Sequence, residues 1–440
     1  MDAPAEFVER WGLLGPGALP SSRRTRTLGL ARAVRHYNNL AVPGLGGLWF
    51  GKQLVLSLLG IRVAELARDR TASSSLTNIV VTNAVEALAC WLSLNQKRWA
   101  GDARLRGREK MQQQNLPTFA QARQPSFYVS QPMRQGTIQA LPALGLTAST
   151  GERFNSFKTT ALGKILLEMA FKDYMPGKKT VEERLFAWVQ GSDRAMSSDA
   201  LLDAVGPDQP LNERARNMVR DRLSLPGNTE VAARRDAQRR HGALWWVHRI
   251  ARKPLLAAET GKPAEISEDH WLDLELGRAF AVARADAYAL LDCLEDEIYR
   301  LEYRFLPLDG STVKTFTLQI EKLRESAASF LELANEHSTH EEAKAACREW
   351  NGDDALAVMR SLVGRDDRVL RLRGDRLVLG PAADLPRPAQ EVEGDEAVGG
   401  DGTVDAPSDL RVNWPEGTSP RIANLLYLAE DLDGRLERWL

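Results

Sequence analysis

The sequence predicts a mainly α, multi-helical protein, and two observations carry this prediction. Residues 44–70 and 75–99 are strongly apolar and long enough for helices that are buried on most of their faces. Further along, apolar residues alternate steps of four and three through 287–305 and again through 316–334. With 440 residues, of which 43% are hydrophobic and 27% charged, the chain has the length and composition of a globular protein with two or three domains.

Charge and cysteine content exclude several classes of protein. The formal net charge of −1 excludes steering of the whole protein toward a polyanion, so any such attraction must come from local patches. The three cysteines, Cys90, Cys293 and Cys347, are odd in number and widely spaced, which argues against a disulfide framework. Residues 1–12 carry acids where a signal peptide needs bases and then an apolar run. We therefore expect a cytoplasmic protein.

Residues 1–115 are predicted to form an N-terminal arm followed by a helical domain. Lys52 and Arg62 interrupt the first apolar stretch, so its longest uncharged run is shorter than the roughly 18–20 residues that a membrane-spanning helix needs. Ser75 or Thr77 is the expected cap of the second helix. The two helices are predicted to pack as a pair, and no membrane contact is expected.

Residues 116–180 are predicted to form a module of helix, two-stranded ribbon and helix. The first helix occupies 131–145, with Pro132 at its start and Gly145 where a helix commonly ends in a left-handed residue. The ribbon consists of strands at 146–148 and 153–158 around a turn. Thr159 or Thr160 is expected to cap the last helix, whose inward stripe is Leu162, Ile165, Leu166 and Met169.

This order, with its Leu-Gly-Leu at 144–146 and Thr-x-Leu-Gly at 160–163, resembles winged helix-turn-helix modules, including MarR-like regulators. The resemblance covers about a tenth of the chain. It implies that helix side chains reach base edges and that wing cations reach phosphates. The residues that would face outward are Arg134, Gln135, Thr137 and Gln139 on the helix and Arg153 and Lys158 on the wing.

Two features of the module depart from that pattern. Pro142 lies inside the expected recognition helix, where it removes a backbone donor and favours a kink or an early end. Phe154 and Phe157 are three residues apart, so a regular strand would turn them to opposite sides. One of the two rings would then lie on the outer surface of the wing or pack against a neighbouring domain.

Three further regions follow the module. Residues 181–380 are predicted to be helical, with a helical hairpin at 278–338 and a β-hairpin at 368–380 around Gly374-Asp375. Residues 381–409 carry eight acids and one arginine with almost no large apolar residue, so we expect a disordered acidic linker. Residues 410–440 regain helical periodicity, which predicts a helix that docks on the body of the protein or on a partner.

Residues 234–253 combine seven Lys or Arg residues with one Asp and with Trp245 and Trp246. Such a stretch can neutralise phosphates and stack on unpaired bases, and it equally fits an amphipathic helix with a solvated basic face and buried indoles. The phosphate contacts that the first interpretation predicts are Arg234, Arg235, Arg239 and Arg240. A second basic stretch at 96–110 would join this surface, together with Arg23, Arg24 and Arg26 of the N-terminal arm, if they converge in space.

The other candidate sites are better explained as structural features than as metal-binding or catalytic sites. His337, His340, Glu341 and Cys347 lie near one helix end, but a structural zinc site needs four ligands at recognisable spacing. The acidic run at 292–297 flanks an apolar seam, and neither a Walker-type phosphate loop nor a Gly-x-Ser-x-Gly elbow occurs. We therefore expect no metal site, no cofactor and no catalytic residue.

The sequence thus predicts a non-catalytic, nucleic-acid-associated subunit of a multi-protein bacterial complex, with DNA and other protein subunits as partners. Its architecture looks like that of accessory subunits of prokaryotic DNA-processing or phage-defence complexes. A second hypothesis is a scaffold that uses the same module and hairpin for protein docking without nucleic acid. A third is an enzyme with an unfamiliar site, which a pocket holding a pKa-perturbed carboxylate or histidine would favour.

Overall fold

A computed structural model describes residues 26–71, 75–149, 151, 153–192, 196–254, 261–335, 340–385 and 412–440. Arg23, Arg24, His337 and most of the expected acidic linker lie outside the described residues. The protein is mainly helical, as predicted. None of the helices in these ranges is both long enough and apolar enough to cross a bilayer.

The first group of helices comprises α1 (Ala31–Ala41), α2 (Gly51–Thr71), α3 (Asn78–Gln96), α4 (Arg108–Met111), α5 (Phe119–Ala122), α6 (Ala140–Ala143), α7 (Ala161–Phe171), α8 (Val181–Val189), α9 (Asp199–Val205), α10 (Glu213–Leu223) and α11 (Val231–Arg252). The second group comprises α12 (Glu268–Arg300), α13 (Gly310–Thr315), α14 (Thr317–Asn335), α15 (Glu341–Trp350), α16 (Ala355–Asp366) and α17 (Pro420–Leu432). Short 3₁₀ turns lie at Met133–Thr137, Phe154–Ser156, Pro176–Lys178 and Leu436–Arg438.

Two small antiparallel sheets complete the fold. The ribbon pairs β1 (Thr147–Ser149) with β2 (Phe157–Thr159). The second sheet has the order β3 (Phe305–Pro307), β5 (Arg376–Leu379), β4 (Leu370–Arg373). The β4–β5 hairpin was predicted, including its turn at Gly374, which has a φ of +60°.

The helices α2 and α3 form the centre of the larger core, as their apolar sequences predict. Thr77 caps α3, because its hydroxyl accepts a hydrogen bond from the backbone N–H of Val80 at 3.3 Å. The pair packs closely at Gly60, where an added Cβ would lie 2.6 Å from the Cα of Thr82. This core continues through α11 and includes the C-terminal helix α17.

The C-terminal segment packs on the body of the same chain. The Asp431 carboxylate of α17 accepts a hydrogen bond from the backbone N–H of Gly51 at 2.7 Å, at the start of α2. Arg421 donates to the side-chain oxygen of Asn39 at 3.1 Å and to the carbonyl of Val42 at 3.3 Å. The helix is therefore anchored by polar contacts at both of its ends.

The second core joins two parts of the chain that the predicted boundaries keep apart. Leu28, Leu30 and Tyr37 of the N-terminal region are buried with residues of α12, α14, α15 and α16. Arg26 forms buried ion pairs with Glu295 and, at 3.9 Å, with Asp366. The N-terminal region thus belongs to the core of the later helices as well as preceding the first ones.

The expected helical hairpin is formed by α12 and α14. Phe280 of α12 contacts Phe330 of α14, with ring centroids 5.7 Å apart, and the later Asp286 pairs with the earlier Lys322 at 2.8 Å, so the two helices run antiparallel. The expected seam is wrong beyond Ile298, because α12 ends at Arg300 and Phe305 begins strand β3 instead. The expected linker also begins too early, since Ala382 and Ala383 are buried.

Candidate nucleic-acid interface

The end of the first module helix is fixed by Gly145, which has a φ of +75°. The backbone N–H of Gly145 donates to the carbonyl of Pro142 and that of Leu146 donates to the carbonyl of Leu141, both at 2.9 Å. This pair of bonds is a Schellman motif, which satisfies the last carbonyls of a helix. Leu144 and Leu146 on either side are buried. The Leu-Gly-Leu sequence therefore ends α6 and turns the chain into β1.

The Thr-x-Leu-Gly sequence holds the second helix of the module against this turn. Thr160 accepts a hydrogen bond from the backbone N–H of Gly163 at 3.0 Å and so caps α7, as predicted. Its hydroxyl also donates to the carbonyl of Gly145 at 2.8 Å. Gly163 contacts the carbonyl of Leu146 so closely that an added Cβ would collide with it. The Leu-Gly-Leu and Thr-x-Leu-Gly sequences therefore pack against each other where α6, β1 and α7 meet.

The expected recognition helix is broken into two short pieces. A 3₁₀ turn covers Met133–Thr137, and α6 covers only Ala140–Ala143. Gly136 packs against the backbone before α2, where an added Cβ would lie 2.7 Å from the carbonyl of Gly47. Pro142 lacks the N–H that a longer helix would need. The order of helix, ribbon and helix is present, while membership of the winged-helix class stays a prediction.

Both phenylalanines of the ribbon are buried. The 3₁₀ turn at Phe154–Ser156 breaks the regular alternation that a strand would give, so Phe154 and Phe157 point to the same side. The side-chain amide of Asn78, the first residue of α3, donates to the carbonyls of Phe154 and Phe157 at 3.0 and 2.9 Å. The ribbon is therefore attached by its inner side to the start of α3.

The predicted contact residues of the module fall into three groups. Arg153 and Lys158 on the ribbon are exposed, and neither forms an ion pair within the part of the chain that the structure describes. Gln135 and Gln139 are half-buried. Arg134 and Thr137 are buried, so the expectation that they face outward is wrong.

Arg134 is held inside the protein by α3. Its Nε donates to the side-chain oxygen of Asn83 at 2.6 Å, and its guanidinium lies 5.4 Å from the centre of the Phe154 ring. Thr137 is fully buried and donates to the carbonyl of Arg134 at 2.9 Å. Burial lowers the pKa of Arg134, opposed by the charge of the nearby Glu86. Arg134 is a buried cation of the core and does not reach a base edge.

The arginines at the start of α11 divide in the same way. Arg234 and Arg235 are exposed, as the phosphate-contact interpretation requires. Arg239 is buried and pairs with Asp269 at 3.0 Å and Asp273 at 2.6 Å, so its prediction as a phosphate contact is wrong.

Arg240 is also wrongly predicted, because its guanidinium satisfies backbone carbonyls. It is buried and donates to the carbonyls of Leu223 at 2.9 Å, Pro43 at 3.2 Å and Leu225 at 3.0 Å. Burial lowers its pKa to about 10. An amphipathic helix buries one of its faces, and Arg239 and Arg240 lie on the buried face of α11.

The turn that leads into α11 is attached to the end of α6. Arg222 donates to the carbonyl of Leu144 at 2.9 Å and to the carbonyl of Pro226 at 2.6 Å. Gly227 packs so closely that an added Cβ would lie 2.5 Å from the carbonyl of Pro142. The exposed arginines at the start of α11 therefore follow a segment that contacts the module directly.

A cleft of about 950 Å³ lies along the second half of α11. Residues of α10 and of the C-terminal segment form its other walls. Trp245 lines it with 58% of its surface exposed, whereas Trp246 is buried against Trp414. The indole N–H of Trp245 donates to Nε2 of His241 at 3.1 Å. Sequence reasoning missed this cleft, because Asp433 on its wall is far from α11 along the chain.

Both ring nitrogens of His241 have hydrogen-bond partners in the cleft. Its Nδ1 lies 2.9 Å from the hydroxyl of Ser224. Because an indole N–H only donates, Nε2 of His241 must accept, and a neutral ring then carries its proton on Nδ1. In this arrangement Nδ1 donates to the hydroxyl of Ser224. The arrangement orients the Trp245 ring.

Charges of both signs line the cleft. Its cations are Arg220, Arg249, Arg252 and Lys253, and its carboxylates are Asp221, Glu265 and Asp433. Arg220 pairs with Asp433 at 2.7 Å, and Arg249 donates to Glu265 at 3.2 Å. Burial lowers the pKa of His248, whose Nε2 lies 3.6 Å from Asp433. The cleft is amphipathic and only weakly cationic.

Three of the six cations of the second basic stretch are held by contacts within the protein. Lys97 pairs with Asp102 at 2.8 Å and with Asp208 at 3.0 Å. Arg104 is buried beside Asp102, and Arg106 donates to the carbonyl of Gln131 at 2.7 Å. The other three, Arg98, Arg108 and Lys110, are exposed, and the convergence of this stretch with the start of α11 stays a prediction.

Within the described ranges, no three His, Cys, Asp or Glu side chains are grouped so that they could hold a metal ion. The exposed cations lie on elements that buried contacts hold in place, as described above for the ribbon and the start of α11. No protein-family model, no curated protein and no solved structure matches this chain.

Proposed function

We propose that this chain is a cytoplasmic, non-catalytic subunit that binds duplex DNA through Arg153 and Lys158 on the ribbon and Arg234 and Arg235 at the start of α11. The observation that carries the proposal is that the ribbon is anchored on one side and has exposed cations on the other. Its inner side is anchored to Asn78, while its two cations are exposed and free of ion pairs among the described residues. Such cations can replace the counterions of a phosphate backbone without losing an internal partner.

The buried positions of Arg134 and Thr137 determine what kind of binding is expected. With these residues inside the core and the side-chain oxygen of Gln139 buried as well, Gln135 is the half-exposed polar side chain that remains of the predicted contacts on that helix. Phosphate contacts position a protein on DNA without reading its sequence. We therefore expect binding that depends strongly on salt and weakly on sequence.

The proposal is tested by fluorescence anisotropy with a labelled duplex of about 20 base pairs at several salt concentrations. Each phosphate contact contributes about 0.9 to the slope of log affinity against log salt. The double variant Arg153→Ala/Lys158→Ala should lower the slope by about 2, and Arg234→Ala/Arg235→Ala should act similarly. The matched control Arg108→Ala/Arg348→Ala removes two exposed cations elsewhere and should leave the slope unchanged. Equal slopes in all of these proteins would contradict the proposal.

The cleft of α11 favours a second function, the docking of another protein subunit. It offers an exposed, oriented indole together with charges of both signs, and tryptophan and arginine are enriched at the energetic centres of protein interfaces. A polyanion would meet three carboxylates there.

Docking is tested by purifying the tagged chain from its native host and measuring which proteins co-purify in stoichiometric amounts. Trp245→Ala should lose such a partner and Trp245→Phe should retain it. The control Leu318→Ala removes another exposed apolar side chain, on α14, and should have no effect. Recovery of the same partner with Trp245→Ala would exclude the cleft as its docking site.

A further inference from the structure

The sheet β3-β5-β4 presents an arginine-rich outer face with aromatic rings beside it. Its inner face carries Leu306, Leu370 and Leu377, which are buried in the second core. Because side chains alternate along each strand and the register is fixed, the outer face consists of two rows. One row is Phe305, Val378 and Arg371, and the next is Pro307, Arg376 and Arg373.

The second row places two like charges directly opposite each other. Arg373 and Arg376 are cross-strand partners that flank the hairpin turn, and like charges at such positions destabilise a sheet. The acid of the turn does not neutralise them, because Asp375 pairs with Arg360 at 2.5 Å. Arg373 has no ion pair among the described residues, and both arginines are exposed. An anion bound at this end of the hairpin would offset the repulsion.

Aromatic rings border the same face. The guanidinium of Arg376 lies 4.4 Å from the centre of the Phe305 ring, which holds it at the surface. Tyr303 is 68% exposed, and its ring centre is 5.7 Å from that of Phe305. Between them Arg304 has a φ of +56°, a left-handed conformation that costs a non-glycine residue on the order of 1 kcal/mol. This turn holds an exposed tyrosine next to the paired arginines.

We propose that the outer face of this sheet, with Tyr303, Arg373 and Arg376, binds single-stranded nucleic acid. The guanidinium of Arg373 takes a backbone phosphate, since a planar fork of donors matches the geometry of phosphate oxygens, and Arg376 adds positive charge on the same face. The exposed Tyr303 ring stacks on an unpaired base next to that phosphate. A base inside a duplex has no free face for stacking, so the face selects single strands. This surface is separate from the ribbon and does not depend on it.

The test is fluorescence anisotropy of the full chain with a labelled oligothymidylate of about 20 nucleotides. Tyr303→Ala should weaken binding at least about fivefold, because stacking contributes about 1–3 kcal/mol for each base. Tyr303→Phe should restore the affinity, since it keeps the ring. Arg373→Ala should lower the salt slope by about 0.7, the value for one phosphate of a single strand. The control Arg108→Ala removes an exposed arginine of α4 and should change neither quantity.

The same variants measured on duplex DNA separate this inference from the proposed function. Variants of the sheet should leave the affinity for duplex DNA within about twofold of the parent. Variants of the ribbon should lower the affinity for duplex DNA and leave the affinity for oligothymidylate within about twofold. Loss of oligothymidylate binding in Arg373→Ala with full binding in Tyr303→Ala would show a general anion site and overturn the inference. Unchanged oligothymidylate binding in both variants would also overturn it, whatever the ribbon variants do to the duplex.

Discussion

Replacing Glu86 by glutamine should stabilise the protein above neutral pH. Glu86 lies on α3, is completely buried, and is close to the buried guanidinium of Arg134. Burial raises the pKa of this carboxyl to about 7, although the charge of Arg134 acts in the opposite direction. A carboxyl with such a pKa prefers its proton in the folded state, and Glu86→Gln imitates that protonated form at every pH.

The size of the effect follows from the rise of the pKa from 4.5 to about 7. At about 1.36 kcal/mol for each tenfold change in proton affinity, the rise corresponds to about 3 kcal/mol. Because the folded pKa is the higher one, this contribution to stability is fully present below 4.5. It is lost as the pH rises through about 7 and stays lost above that.

The measurement is urea unfolding of the parent and of Glu86→Gln, each at about pH 4.5 and about pH 8. The two proteins should agree within about 0.5 kcal/mol at the lower pH, and the variant should be more stable by about 3 kcal/mol at the higher pH. Asp366, whose pKa burial raises to about 6, adds a dependence of the same sign to both proteins, so it cancels in the difference. Glu109→Gln changes an exposed glutamate and should show no difference at either pH.

A variant Glu86→Gln that is less stable than the parent at about pH 8 would refute this reasoning. It would mean that Glu86 is ionised in the folded state and that its attraction to Arg134 exceeds the cost of burial. Removing one partner of such a buried pair costs roughly 3–5 kcal/mol. The sign of the difference therefore decides between a protonated acid and an ion pair.

Two further predictions concern packing and hydrogen bonding. Arg240→Met should lower the free energy of unfolding by roughly 3 kcal/mol, because three buried carbonyls lose their donor, whereas Arg235→Ala on the exposed face should change it by less than about 0.5 kcal/mol. Urea midpoints of the two variants would show this, and equal midpoints would contradict it. Gly163→Ala should destabilise by roughly 1–3 kcal/mol, because the new methyl group meets the carbonyl of Leu146. Gly364→Ala, in a helix with open space around it, should be neutral or stabilising, and a thermal shift of the same size in both alanine variants would argue against the close contact.

Periodicity and capping residues predicted local structure well where they act within one element. The apolar repeats located α2, α3, α12 and α14, and the hydroxyl residues Thr77 and Thr160 marked helix starts because their caps involve only the next three residues. The β4–β5 hairpin was predicted because its turn and alternation lie within a few residues. Strand β3 was missed because three residues are too few to show a period, and Phe305 continued the helical spacing of α12.

The candidate site was only partly predictable, because the side on which an arginine lies depends on partners that are distant in sequence. Lys158 was placed in the returning strand correctly, whereas Arg153 was expected in that strand and lies before the 3₁₀ turn at Phe154–Ser156 in the connection of the ribbon. Arg239 and Arg240 look like Arg234 and Arg235 in the sequence, yet the first pair meets Asp273 and the carbonyl of Pro43. A count of basic residues in a helix does not show which of them the fold uses.

The use of arginine inside the protein also limits the strength of any nucleic-acid binding. Buried arginines such as Arg184 and Arg421 donate to backbone carbonyls, as Arg240 does, so part of the positive charge of the chain is bound to internal acceptors. The proposed duplex surface retains four exposed cations, two on the ribbon and two at the start of α11. Four phosphate contacts would give a salt slope of about −3.6. A slope far steeper than this would require cations beyond these four and would show that the duplex lies on a larger surface.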